Sequence, residues 1–486
     1  MKNRSNLLFL WVISLLVITA LACQAVSQAT PTPEPTLPPA PTATQEASPT
    51  PSPAPTETPL PTATEPPPPT ETSESVEEKP TETLEAEPGQ LNILTVNGYL
   101  DESGDLHVVG LISNDTDRAL NDIEVEVEIF DAAGNSLYKE ITVSSLYELA
   151  PGDISPFQLW VYDDIPDADH YAATIAGYGS TESVRAELDV QNVNSVIDDY
   201  DDLYVTGEVV NNSSDPVALN GIAAAVFDSD GTLISVGSDS VRLTYLAPGE
   251  SGPFRINFTF PPEQVENFDQ YKFYMDASVM DEPQMTYPLT FSESHYNYVD
   301  TFGNFHLVGS LRNDSDVDLN ISLLGTIYDE GGFVLDVSNG SLPYYSIEPG
   351  QTVPYDIDFW GPLNYTSGLV EKADNYLVQI DWYWTWESYT KFVDVITTED
   401  DNTFDDYQGT FTGKVVNNSG GEVNSATVIV SLYDKASGEL VATDYTWVSG
   451  PIANNDSAEY TVYISIPEDF DVNTVEFEII AKAELP

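Results

Sequence analysis

The chain has 486 residues, and its 80 Asp plus Glu against 15 Lys plus Arg give a formal net charge of −65. Such a polyanion repels nucleic-acid phosphates and anionic lipid headgroups, which excludes nucleic acid as a partner and leaves cations, neutral polymers such as polysaccharide, or a saline habitat to account for the charge. The length has room for several domains of ordinary size.

At the amino terminus Lys2 and Arg4 precede the apolar run "LLFLWVISLLVITALA", which ends at Cys23, the only cysteine. The run is short for a bilayer span and has the layout of an export signal. "ALAC" resembles the lipobox of bacterial lipoproteins. That resemblance implies a signal peptide over residues 1–22, lipidation of Cys23, anchoring to the membrane through that lipid, and an extracytoplasmic place on a bacterial cell surface. The alternative is ordinary A-x-A cleavage after Ala22, which would release a soluble chain whose single thiol has no disulfide partner.

Residues 23–90 hold about half of the 35 prolines, mixed with Thr, Ala, Ser and Glu. This composition cannot bury enough apolar surface to fold, so a disordered linker is expected, a semi-stiff stalk on the order of 100 to 200 Å long.

From Leu91 onward the chain repeats itself. Gly followed four places later by Asn occurs as Gly110/Asn114, Gly207/Asn211, Gly309/Asn313 and Gly413/Asn417. About twenty residues on come Phe130-Asp131, Phe227-Asp228, Tyr328-Asp329 and Tyr433-Asp434, and 46 or 47 residues past each glycine stands an aromatic: Phe157, Phe254, Tyr355 and Tyr460. "DIEVEVEIFD" and "FRINFTF" alternate with period two, the pattern of half-buried strands, which makes the last aromatic a core anchor. "APGD", "APGE" and "EPGQ" before it suit a type II turn, and Asn454-Asn455 can replace Pro-Gly because Asn tolerates the left-handed conformation. Helical periodicity is absent from the body, with short turns such as "PPEQVENF" the only helical candidates.

The expected fold is all-β: four tandem immunoglobulin-like β-sandwich domains over residues 91–183, 184–283, 284–389 and 390–486, joined by short linkers into a semi-rigid rod. "VSLYD" at Val430 to Asp434, with "VEIFD", "AAVFD" and "GTIYD" as variants, resembles the FxLYD domain family of small β-sandwich modules on bacterial surface proteins. Val127, Ala224, Gly325 and Val430 stand where that signature has Phe. The resemblance implies an extracytoplasmic sandwich and supplies no catalytic residues.

Little in the sequence speaks for chemistry. His107, His170, His295 and His306 are too scattered to compose a nucleophile-base-orienter triad; His107 and His306 both lie three residues before a repeat glycine, which reads as chance placement on a strand face. The acidic loops, chiefly Asp198, Asp199, Asp201 and Asp202 in one repeat and Asp400, Asp401, Asp405 and Asp406 in another, offer the hard oxygen ligands calcium prefers, so calcium is the one cofactor considered, against solvated hairpin loops as the plainer reading. In "QIDWYWTWESY", Trp382, Trp384 and Trp386 alternate along one strand as a strip able to stack on sugar rings, or as core. The sequence therefore points to a non-catalytic, lipid-anchored surface protein displaying its sandwiches for adhesion, scaffolding or envelope spacing toward a cell-envelope or extracellular polysaccharide or protein. The alternative is a polysaccharide-binding protein using the tryptophan strip.

Overall fold

The computed structural model describes residues 89–101, 103–162, 165–259, 268–292, 295–385, 391–467 and 470–486. The leader, Cys23, nearly all of the proline-rich segment, Trp386 and most of "PPEQVENF" lie outside these residues. Among the described residues the chain forms 27 strands, one four-residue helix and two short 3-10 turns. The all-β expectation holds.

Each repeat is built as sheet against sheet. In the first, strands Leu91–Leu100, Leu106–Asn114 and Ile154–Val161 make one sheet, and Leu120–Phe130 lies at the centre of the other, between Ser136–Val143 with Glu148–Leu149 on one side and His170–Ser180 on the other. The third repeat keeps two separate sheets, centred on Phe305–Asn313 and Leu319–Tyr328. In the second and fourth the two sheets are continuous through strands Leu233–Arg242 and Phe392–Phe404, each of which pairs into both.

The recurring landmarks are one device repeated four times. Each glycine is the cross-strand partner of the later aromatic: Gly110 opposite Phe157, Gly207 opposite Phe254, Gly309 opposite Tyr355, Gly413 opposite Tyr460. All four rings are buried, and each lies across its glycine so closely that a Cβ on Gly110 would sit inside the Phe157 ring. The ring needs a partner with no side chain, which fixes both residue types at one spacing.

The asparagine clamps two corners. Asn114 Nδ2 donates to the Arg118 and Leu149 carbonyls at 2.9 and 2.8 Å, while its Oδ1 accepts from the Thr116 amide and hydroxyl at 3.1 and 2.6 Å. Its backbone exchanges hydrogen bonds with the Pro-Gly corner, Asn114 N to Asp153 O and Gly152 N to Asn114 O. Asn211, Asn313 and Asn417 repeat the side-chain bonds in full, and all four are fully buried. A buried amide satisfied on both ends is costly to replace, because its carbonyl partners would be left without donors. In the last repeat Asn455 takes φ 67°, as the turn requires.

The glycine strand is also where successive repeats meet. Leu106–Asn114 is buried at every position. Val108 and Ile112 fill the repeat's own core, while Val109 and Leu111 pack on Ala225, Phe227, Leu233 and Val236 of the next. The outward faces of the first and fourth repeats differ from this pattern. At the start, Glu124, Glu126 and Glu128 occupy the outward face that Ala223 and Ala225 occupy in the second repeat, and Lys139 pairs with Glu126 at 2.8 Å. At the finish, Thr410, Thr412 and Lys414 face outward from a glycine strand that is only partly buried.

Candidate functional site at the repeat junctions

His107 and His306 are not chance placements. Each pairs across the strand with a tyrosine eleven residues before the repeat glycine, Tyr99 with His107 and Tyr298 with His306. The rings stack at centroid distances of 5.0 and 4.6 Å, with interplanar angles of 2° and 7°. The tyrosine hydroxyl then crosses the junction: Tyr99 donates to the Thr259 carbonyl at 2.8 Å, Tyr298 to the Ser465 carbonyl at 3.0 Å. An aspartate beneath holds each imidazole, Asp101 at 3.0 Å and Asp300 at 3.5 Å from Nε2. The same aspartate closes a hairpin, Asp300 Oδ1 accepting from the Phe302 and Asn304 amides at 2.9 and 2.8 Å.

This Tyr-Asp-His keystone occurs in the odd repeats only. The even repeats have Val196 and Tyr204, then Thr403 and Thr410, at the tyrosine and histidine stations. The junction between the second and third repeats is held instead by Arg255, whose Nη1 donates to Asp336 Oδ1 at 2.7 Å and to the Val337 carbonyl at 2.9 Å, with both side chains buried. Thr206 Oγ1 donates to the Val334 carbonyl at 2.5 Å, and the Tyr328 hydroxyl to Glu208 at 3.0 Å. A two-repeat period was readable in the sequence: "NDTD" and "NDSD" follow the odd glycines, whereas "VVNNS" follows both even ones.

Where the third and fourth repeats meet, a cleft of about 670 Å³ opens, lined among others by His306, Asp356, Asp358, Trp360, Asp444 and Tyr445. His306 Nδ1 lies 3.1 Å from Asp356, and Nε2 lies 4.0 Å from Asp358 Oδ1 beyond its approach to Asp300. Burial alone would lower the His306 pKa, but hydrogen bonds to Asp300 and Asp356, with the nearby charges of Asp356 and Asp358, outweigh it and raise the pKa to about 10. Burial works against Asp300 as well, yet its bonds to His306 and the loop amides keep its carboxyl below the usual range. Desolvation raises Asp356 and Asp358 despite His306. Asp444, at the solvent-open mouth, is pushed up to about 6 by desolvation and by the charges of Asp356 and Asp358, against one hydrogen bond from the Tyr445 amide.

The residues singled out from sequence fall elsewhere. Trp382 and Trp384 lie in strand Asn375–Thr385, opposite Ser322 and Asn320. A register shift at Asp381 places Ile380 and Trp382 opposite the adjacent residues Leu323 and Ser322. The period-two count that aligned Tyr376, Val378 and Ile380 with the tryptophans is therefore interrupted at this bulge. Asp381 itself is buried and accepts from the Thr244 amide and hydroxyl, both at 2.8 Å.

The acidic loops use many of their carboxylates internally. Asp198 Oδ1 accepts from the Tyr200 and Asp202 amides, Asp405 Oδ1 from those of Tyr407 and Gln408, and Asp401 Oδ1 from that of Asn402. Asp199 Oδ2 accepts from Ser367 of the third repeat, and Asp400 from the Tyr460 and Thr397 hydroxyls. Asp201 takes φ 65° in its turn, and Asp406 is exposed. Among the described residues no group of three or more His, Cys, Asp or Glu is arranged to hold a metal ion.

No protein-family model matches the chain. No curated protein matches it either.

Proposed function

We propose that the chain is a non-catalytic surface protein, anchored by lipid on Cys23, that carries its four repeats beyond a bacterial envelope as a spacer and scaffold. The observation that supports this reading is the burial of the first two glycine strands on both faces, where each repeat packs on the next: an outer face given to a neighbour is surface withheld from chemistry. Interfaces with hydrogen bonds and a buried ion pair, in place of loose linkers, suit a structure that must hold its far end away from the membrane. The test is to follow a carboxy-terminal epitope on intact cells. It should be reachable by antibody, and Cys23→Ser should move the chain from the membrane fraction to the medium. An unmodified Cys23 at the mature amino terminus, or retention in the cytoplasm, overturns the anchor and the display together.

A further inference from the structure

We infer that the first and second repeats are joined by a pH-dependent clasp at Asp276, tight while a proton is held among Asp276, Glu148 and Asp153 and loosened once all three carboxyl groups are ionised.

The clasp has a fixed place in the fold. Ala224, Gly325 and Val430 pair with Phe273, Val378 and Ile479 on the last strand of their repeats, and three residues further along that strand stand Asp276, Asp381 and Lys482. Each reaches back into the preceding repeat. Asp276 Oδ2 accepts from the Glu148 amide at 2.9 Å, Asp381 Oδ1 from the Thr244 amide and hydroxyl, and Lys482 Nζ donates to Glu348 at 2.8 Å. At the first junction the clasp lies away from the keystone. Asp153 exchanges backbone bonds with Asn114, at the opposite end of strand Leu106–Asn114 from His107. Losing the clasp therefore leaves the two repeats hinged on Tyr99 and His107.

The first clasp differs from the others in setting carboxylates against one another. Asp276 is 4% exposed, and its Oδ1 accepts from Asn220 Nδ2 at 3.0 Å. Beside it from the first repeat come Glu148, whose Oε1 is shut from solvent without a hydrogen bond, and Asp153 at the Pro-Gly corner. The cations facing this group are Arg185 and Arg242. Arg185 lies 2.5 Å from Asp153, but half of its side chain is in solvent. Arg242 is committed to Asp239 and to the Leu219 and Asn220 carbonyls. Three carboxylates at one contact thus outnumber the cations left to them, and a bound proton relieves a repulsion that water screens poorly.

The direction follows from burial. Desolvation raises the Asp276 pKa, and the Glu148 charge adds to it, against the bonds from Asn220 and the Glu148 amide and the charge of Arg242. Desolvation likewise raises Asp153, with Asp276 adding to it against Arg185. A carboxyl raised above 3.8 on folding stabilises the contact fully below pH 3.8, and that stabilisation is lost as pH climbs through the raised value.

Hydrogen–deuterium exchange of the full-length chain at pH 4, 6 and 8, corrected for the intrinsic pH dependence of exchange, reads the clasp at the Glu148 amide itself. Protection across residues 147–153, relative to strand Val423–Asp434 of the fourth repeat, should fall about threefold or more from pH 4 to pH 8. Asp276→Asn keeps an acceptor for the amide without the charge and should abolish the fall. Glu148→Gln leaves the amide in place and changes a half-buried side chain, so it should fold and should shrink the fall, which decides the matter even if Asp276→Asn misfolds. Arg185→Gln should deepen it. Protection that does not change with pH in the parent would overturn the inference, as would a fall of parental size in Glu148→Gln or an equal fall at the Thr244 amide of the second junction.

Discussion

The first and third junctions share a keystone and differ in what surrounds it. At the first, His107 meets the Gln158 amide at Nδ1, 2.6 Å away, and Trp160 lies over its ring with centroids 4.6 Å apart. At the third, Asp356 and Asp358 occupy the stations of Gln158 and Trp160, and Asp444 faces them from the fourth repeat where the second repeat has Gly237. The stack of tyrosine on histidine, with the hydroxyl bond across the interface, is therefore what these two junctions share. The surplus carboxylates are not required for joining, since the first junction does without them.

The largest effect should come from the middle junction, which has neither keystone. Arg255→Ala leaves Asp336 buried without a counter-charge and should cost about 3–5 kcal/mol, read as a lowered denaturant midpoint. If this variant unfolds at the parental midpoint, the ion pair is incidental and the two-repeat period carries no mechanical meaning.

The comparison itself is broken or kept by matched histidine variants. His306→Gln removes the cation from among Asp300, Asp356 and Asp358 and should cost about 3–5 kcal/mol. His107→Gln, with one carboxylate beneath, should cost about 1–3 kcal/mol. The pH dependence has a definite sign. His306 has its pKa raised from 6.5 to about 10 on folding, so its stabilisation is complete below pH 6.5 and is lost as pH rises through about 10. The gap between parent and His306→Gln should therefore narrow in alkaline urea titrations, and a constant gap would contradict an imidazolium at this site. Tyr99→Phe and Tyr298→Phe sharpen the shared half of the comparison: the first deletes interface hydrogen bonds to Thr259 and Ser235 and should cost about 1–2 kcal/mol, the second deletes the one to Ser465 and should cost about 1 kcal/mol. A larger loss at Tyr298 would mean that the hydroxyl bonds do not set the strength of the two keystones.

Much of this is legible in the sequence. Glycine and aromatic keep a constant spacing because they are register partners in one sheet, so the all-β repeat could be read from numbers alone. The role of Asn114 and its counterparts could not, because the groups they clamp are backbone carbonyls four and about 35 residues away, which leave no side-chain trace. Stacking did leave a trace: "LHVVGLISN" has lost the alternation that "QGTFTGKVV" keeps, as a strand buried on both faces must. The equal offsets of His107 and His306 gain their meaning only with Tyr99 and Tyr298, and Asp101 and Asp300, at matching offsets beside them. The cleft was hidden more deeply. Asp358 and Asp444 meet only because two repeats stack, and no local pattern encodes that. The bulge at Asp381, which breaks the register between Ile380 and Trp382, likewise leaves no trace in a sequence whose period of two looks unbroken.

The smallest effect is the most specific to the third junction. Asp444 has its pKa raised from 3.8 to about 6 by desolvation and by Asp356 and Asp358. A raised carboxyl pKa means that the folded chain binds the proton more tightly than the unfolded one, so the junction is best satisfied below pH 3.8 and is progressively opposed as pH climbs through 6. Asp444→Asn should therefore match the parent near pH 4 and be slightly more stable at pH 7 to 8. The gain should stay under about 1 kcal/mol, because the carboxylate is open to solvent and screened. Thermal melts at the two pH values measure it, and added salt should shrink the difference. If the asparagine variant loses stability at pH 7, Asp444 is a partner of His306 instead of one carboxylate too many, and the contrast between the two junctions would have to be drawn from Asp356 alone.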